Sequence, residues 1–326
     1  MSAPDPNLSS PDMGATVRVT DNGSQEVHPM KPILFLMPGR GYDPSEAAVS
    51  WSRLVAAGER VLFATPDGRP ATADPLMLTG EGLDPWSRVP GLRRFKVVGL
   101  VLRANRQARE AHARMAASPE FVRPLRYDEV NPEDYDGVLL PGGHAKPMRE
   151  FLENPVLAGL LARIMADRSA EAHLPVAAIC HGVLALARAR DAEGVSVIAR
   201  RQVTALTWAL EGAAWRLARH TRFWEPDYYR TYGEQPGEPA GFWSVESEIR
   251  RALAGAGAFH DVPPDVPDAR RKTDGLHRDT PDDDRPAWVV RDGNLVTARW
   301  PGDANAFAAR FLTVIREWRG RGRGHD

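Results

Sequence analysis

Cysteine is nearly absent, with a single residue, Cys180, in 326. That excludes an internal disulfide, and no Cys/His spacing of the structural-zinc kind accompanies it, so a reducing compartment, the cytoplasm, is the expectation. An excess of charge is lacking as well: 42 basic against 43 acidic residues leave a net charge of -1. That balance favours neither nucleic acid nor an anionic membrane as partner. No segment holds about 18 uninterrupted apolar residues, and the opening MSAPDPNLSSPDMGATVRVTDNGSQ has no apolar core of the signal-peptide kind. A soluble protein that is not exported is expected.

What the sequence does hold is 43% hydrophobic residues, enough for a substantial core in about two domains or in one α/β domain with insertions. Residues 1–30 are rich in Ser, Pro, Asp, Gly and Asn without periodicity and read as a flexible arm. ILFLMPG (33–39) is an apolar run ending in proline and glycine, as a strand buried on both faces requires. PSEAAVSWSRLVAAG follows with helical spacing, Ser45 as its cap and Gly58 as its stop, and RVLFATPDG completes a β-α-β unit. DYDGVLLPGG and PVAAI are further buried strands, and AWVVRDGNLVTARW is a hairpin turning at Asp292-Gly293.

Strands alternating with helices predict a mostly parallel sheet in an α/β fold. Two stretches, near 70–133 and 208–285, break the alternation and read as cap insertions. The second carries Trp208, Trp215, Phe223, Trp224, Tyr228, Tyr229 and Tyr232, read first as the core of a cap and second as a wall of the site. The Arg-rich end, 319–326, reads as a solvated basic tail.

The chemistry points to Cys180. A free cysteine is usually a small buried apolar residue, but this one stands between the strand PVAAI and the helix GVLALARAR, with His181 and Gly182 after it. In α/β folds ligands bind at the carboxyl ends of strands. A helix N-terminus favours thiolate over thiol, so a lowered cysteine pKa is expected, and a sharp elbow tolerates little bulk at Gly182. His181 is a candidate general acid/base.

AAICHG, the upstream DYDGVLLPGGHA and the early GYDPSEAAVSWSRLVAAG together resemble the ThiJ/PfpI family of the class I glutamine amidotransferase-like superfamily. The branch with heat-shock chaperones and glutathione-independent glyoxalases is the most similar. The resemblance implies a flavodoxin-like three-layer α/β/α sandwich with a nucleophile elbow, spanning 31–318 with the cap insertions. It also implies that Glu46 reaches the cysteine and that Gly142 and Gly143 form the oxyanion loop. Glu211 is the acid implied to complete a triad with Cys180 and His181. His144 stays outside the catalytic set.

The implied activity is conversion of small reactive carbonyls, 2-oxoaldehydes, to hydroxy acids without glutathione. An amidase or peptidase using the same Cys-His pair, and a redox-sensing or chaperone-like stress protein, are the alternatives. Ammonia transfer is disfavoured, because no other histidine is followed two positions later by the glutamate that true glutamine amidotransferases use. A homodimer is implied, and no cofactor or metal.

Overall fold

A computed structural model describes residues 30–166 and 173–322. The short apolar runs become strands: β1 (Ile33–Leu36), β2 (Arg40–Tyr42), β3 (Val61–Thr65), β4 (Thr72–Ala73), β5 (Leu125–Arg126), β6 (Gly137–Leu140), β7 (Val176–Ile179), β8 (Val289–Asp292) and β9 (Leu295–Ala298). Seven form one sheet in the order β5-β3-β1-β6-β7-β9-β8, while β2 and β4 pair separately. All neighbours in the large sheet are parallel except the hairpin strands β8 and β9. The register pairs Phe35 with Leu139, Leu140 with Ala178 and Ile179 with Ala298, so the central strands end along one rim. Their side chains are buried throughout, which is why they lack the alternation of a half-exposed strand.

Helices flank the sheet and complete the three-layer α/β/α sandwich. Pro44–Ala56 packs with Arg106–Ala116 and Ala304–Gly322, and His181–Arg188 packs with Pro155–Ile164 and Val245–Ala252. Asp43, not Ser45, caps the first of these: its Oδ1 accepts the N–H groups of Ser45 at 2.7 Å and Glu46 at 3.1 Å. Pro44 at the first helical position needs no acceptor, and the helix starts two residues earlier than a Ser45 cap predicts.

The insertion near 70–133 is more than a cover. Its β5 extends the sheet beside β3, and Arg106–Ala116 buries Ala108, Ala111 and Met115 in helical spacing. The remaining part meets the second insertion in a small separate core, where Met77 and Leu83 pack with Ala218, Tyr228 and Tyr229. Of the aromatic cluster only Tyr228 and Tyr229 are buried in this cap core, with Trp215 packed against it; Tyr232 packs against the main core and Phe223 stays 65% exposed. The basic end also departs from expectation. Helix Ala304–Gly322 includes its first residues, and Arg319 pairs with Glu59 at 2.8 Å and Asp136 at 2.6 Å. Residues 1–29 of the predicted arm and 323–326 of the predicted tail lie outside the described residues.

Candidate active site

Cys180 follows β7 directly and occupies the cap position of helix His181–Arg188, with φ 57° and ψ -124°. A non-glycine residue holds that conformation only where its surroundings enforce it, and a strained strand-to-helix elbow is where a nucleophile is presented. Enforcement comes from both sides: the Cys180 N–H donates to Ala298 O at 3.1 Å, and its carbonyl accepts the Val183 N–H at 3.2 Å. A Cβ on Gly182 would lie 2.3 Å from Leu140 O, so the helix can approach β6 only with glycine there.

Glu46, fully buried in the first turn of Pro44–Ala56, reaches the same point. Its Oε2 accepts the Gly142 N–H at 2.8 Å, its buried Oε1 has no hydrogen-bond partner, and the carboxyl interacts with the Cys180 thiol. Gly142 therefore positions Glu46 and has no N–H left for an oxyanion. Gly143 fits the oxyanion role better, since its N–H makes no hydrogen bond among the described residues.

The electrostatics reverse the expected thiolate. Burial, followed by the nearby negative charges of Glu46 and Asp43, pushes the Cys180 thiol well above its ordinary value, and the His181 backbone N–H offsets this only in part. Burial, then Asp43, holds the Glu46 carboxyl well above the ordinary carboxylate range. Cys180 therefore rests as a thiol at neutral pH, and Glu46 is biased toward its protonated form. The helix N-terminus does not outweigh desolvation here.

Cys180 Sγ lies 3.3 Å from His181 Nδ1. On the other side of the ring, Nε2 lies 3.0 Å from Thr231 Oγ1, and that hydroxyl donates to His144 O at 2.7 Å. A hydroxyl has one proton, so His181 Nε2–H must be the donor to Thr231, leaving the Nδ1 lone pair facing the sulfur. Burial, then repulsion by His144 when protonated and by the Arg188 and Arg230 guanidinium charges, pushes His181 down to about 3, so the ring is neutral.

Thr231 thus stands where Glu211 was expected. Glu211 is buried, but its Oε2 accepts the Val245 N–H at 3.0 Å and its Oε1 lies 3.3 Å from Arg230 Nε. It caps helix Val245–Ala252 and neutralises a buried arginine, and it makes no hydrogen bond to His181. The segment DYYRTYGE gave no sign of Thr231, because a lone threonine among aromatic residues in a loop carries no periodicity.

Cys180, Glu46 and Gly143 open into a cavity of about 230 Å³. Leu102, Leu206, Leu210 and Leu217 give it apolar walls, and Tyr229, His144 and Arg278 supply polar groups. The volume lies below the roughly 300–1,000 Å³ of drug-sized sites and suits a small molecule. His144 stacks on Tyr229 with ring centroids 4.1 Å apart, and burial pushes it down to about 4. Among the described residues no group of three or more His, Cys, Asp or Glu side chains is arranged to hold a metal ion.

A strained cysteine elbow with an adjoining imidazole and a buried glutamic acid, on the rim of a mostly parallel sheet, defines a class of α/β proteins. This chain belongs to the ThiJ/PfpI family: the model described as ThiJ/PfpI family-like matches residues 37–238, more than half of the sequence. Among solved structures, the 24 kDa rapid encystment protein of Francisella tularensis aligns with a TM-score of 0.55 and 16% identity, covering 88% of this chain and 99% of that one. Glyoxalase III of Candida albicans aligns with a TM-score of 0.50 and 15% identity, covering 86% and 97%. Both likenesses show the fold. A deglycase of Pyrococcus horikoshii is 43% identical over 58 residues, 18% of this chain and 31% of that protein. The chain spans less than half the length of the curated relatives it matches. Among the described residues no helix is long and apolar enough to cross a membrane.

Proposed function

We propose that the protein is a cysteine-dependent, glutathione-independent glyoxalase that converts small 2-oxoaldehydes to 2-hydroxy acids. The observation that carries this reading is the free Glu46 Oε1 beside a Cys180 thiol whose sulfur faces the Nδ1 lone pair of a neutral His181. The likeness to a glyoxalase III and to a deglycase supports the same choice. The small carbonyl substrate and the homodimer implied by the sequence belong to this reading.

Cys180 adds to the aldehyde carbon while its proton passes to His181 Nδ1, and the new alkoxide takes the Glu46 proton near the Gly143 N–H, giving a hemithioacetal. Glu46, now a carboxylate, removes the hydrogen from that carbon as His181 protonates the neighbouring oxygen. The resulting enediol takes the proton from Glu46 at the second carbon and returns its first-carbon hydroxyl proton to the Glu46 carboxylate, becoming a 2-hydroxyacyl thioester and restoring the carboxylic acid. Water, deprotonated by His181, releases the hydroxy acid and restores the thiol. Atoms balance as one 2-oxoaldehyde plus one water giving one hydroxy acid.

A redox sensor needs an accessible thiolate, whereas Cys180 is 5% exposed and its thiol is pushed up. Methylglyoxal turnover to lactate without added thiol tests the proposal. Cys180→Ala should abolish it. Glu46→Gln keeps an acceptor for the Gly142 N–H and should lower kcat by about 100-fold or more, as loss of a positioned general base does. Undiminished turnover in either variant refutes the proposal.

A further inference from the structure

Arg278 brings a charged guanidinium into the cavity that holds Cys180 and Glu46. A guanidinium carries five N–H donors in a fork that suits a carboxylate. Here the side chain makes one hydrogen bond, from Nη2 to Leu102 O at 3.4 Å, the long end of the range. It has no ion pair within 4.0 Å among the described residues, although Asp43, Glu46, Tyr229 and Asp279 lie within electrostatic reach. Burial disfavours its charge, as expected of a cation without a close counter-ion.

Trp300, whose ring centroid is 5.7 Å from the guanidinium carbon, lines the same cavity and has a buried indole N–H with no acceptor. A buried donor without an acceptor, the Trp300 indole N–H, beside a half-buried arginine with a single long hydrogen bond is unusual, since buried polar groups are nearly always paired. The next residue, Asp279, holds this stretch of chain in place: its carboxylate accepts the N–H groups of Asn305 at 3.2 Å and Ala306 at 2.7 Å. The other acids lining the cavity offer the arginine little competition. Glu46 and Asp43 are held toward the neutral form by burial, Glu211 is committed to Arg230, and Asp274 accepts from His277 Nδ1 at 2.6 Å.

We propose that Arg278 is a specificity-determining residue that anchors a carboxylate of the substrate, so that the preferred substrates are 2-oxoaldehydes bearing a remote anionic group. This rests on the glyoxalase reading for the reaction, but the anchor itself does not require turnover. The first arm of the test compares kcat/KM for 4,5-dioxopentanoate, a carboxylated 2-oxoaldehyde, with that for neutral methylglyoxal. The wild type should favour the anion by about tenfold or more, as a charge-assisted hydrogen bond implies. Arg278→Met should collapse the ratio through KM, and Arg278→Lys should keep part of it. A wild type without preference, or a ratio unmoved in Arg278→Met, overturns the proposal.

The second arm uses alkylation of Cys180 by iodoacetate and iodoacetamide, in which an S–C bond forms, iodide leaves and the thiol proton is lost. The rate ratio, normalised to a free thiol, should favour iodoacetate in the wild type and fall about tenfold in Arg278→Met. If neither aldehyde is turned over but the alkylation ratio depends on Arg278, the reaction assignment fails and the anchor stands. Equal normalised rates for the two reagents in the wild type overturn the anchor. Should Arg278→Met not fold, the wild-type ratios and Arg278→Lys decide. A thiol that neither reagent modifies overturns both readings.

Discussion

Replacing Thr231 by valine tests how the imidazole is oriented. Valine matches threonine in shape, so the packing around residue 231 stays and only the hydroxyl goes. That hydroxyl accepts from His181 Nε2 at 3.0 Å and donates to His144 O at 2.7 Å. Its loss leaves a buried donor and a buried acceptor without partners, each worth about 1–3 kcal/mol. The ring can escape its share by moving the proton to Nδ1, which aims an N–H at the sulfur and removes the base. A shift of about 1–3 kcal/mol in that tautomer equilibrium lowers the competent fraction by about 5- to 150-fold. Methylglyoxal kcat should fall by a factor in that range, while Thr231→Ser restores the hydroxyl and most of the rate. Nitrogen NMR of the imidazole reads the tautomer directly and separates it from simple loss of stability. If Thr231→Val keeps kcat within about twofold, or its ring keeps the proton on Nε2, the orienting role is wrong.

His144→Phe should keep the stack on Tyr229 while removing a group that must stay uncharged in the fold. The native pKa, about 4, lies below the ordinary 6.5, so on acidification the unfolded chain takes the proton first. The stability tied to His144 is full above 6.5 and is lost as pH falls toward 4. Across that window the wild type should lose up to about 1.4 kcal/mol per pH unit more than the variant in urea unfolding. The readout is this difference, because Glu211 and Asp279, both pushed up to about 7, contribute with the opposite sign. Parallel profiles would count against a buried neutral His144. Asp303→Asn should cost about 3–5 kcal/mol of unfolding free energy, because it strips the partner from buried Arg299, which Asp303 holds at 2.9 and 2.8 Å. Arg299 also binds Lys272 O, so hydrogen exchange should quicken in the segment around residues 272–287. A loss below about 1 kcal/mol would show that the pair contributes little.

Taken alone, the sequence determined the parallel sheet, the elbow at Cys180 and the hairpin at Asp292-Gly293, while the placement of Glu46 beside the cysteine came only through the family resemblance. The first three features are local: an apolar run bounded by glycine and proline, or a helix opening right after a strand, fixes its own geometry within a few residues. Two-residue strands such as β4 and β5 escaped notice because so short a stretch carries no period. Only the tertiary structure decided that Thr231, 50 residues beyond His181, orients the ring while Glu211 caps a neighbouring helix. It also decided that the cysteine rests as a thiol and that Arg278 enters the cavity. Protonation states follow from burial and from charges that meet only when distant segments pack, and neither is written in the spacing of residues along a chain.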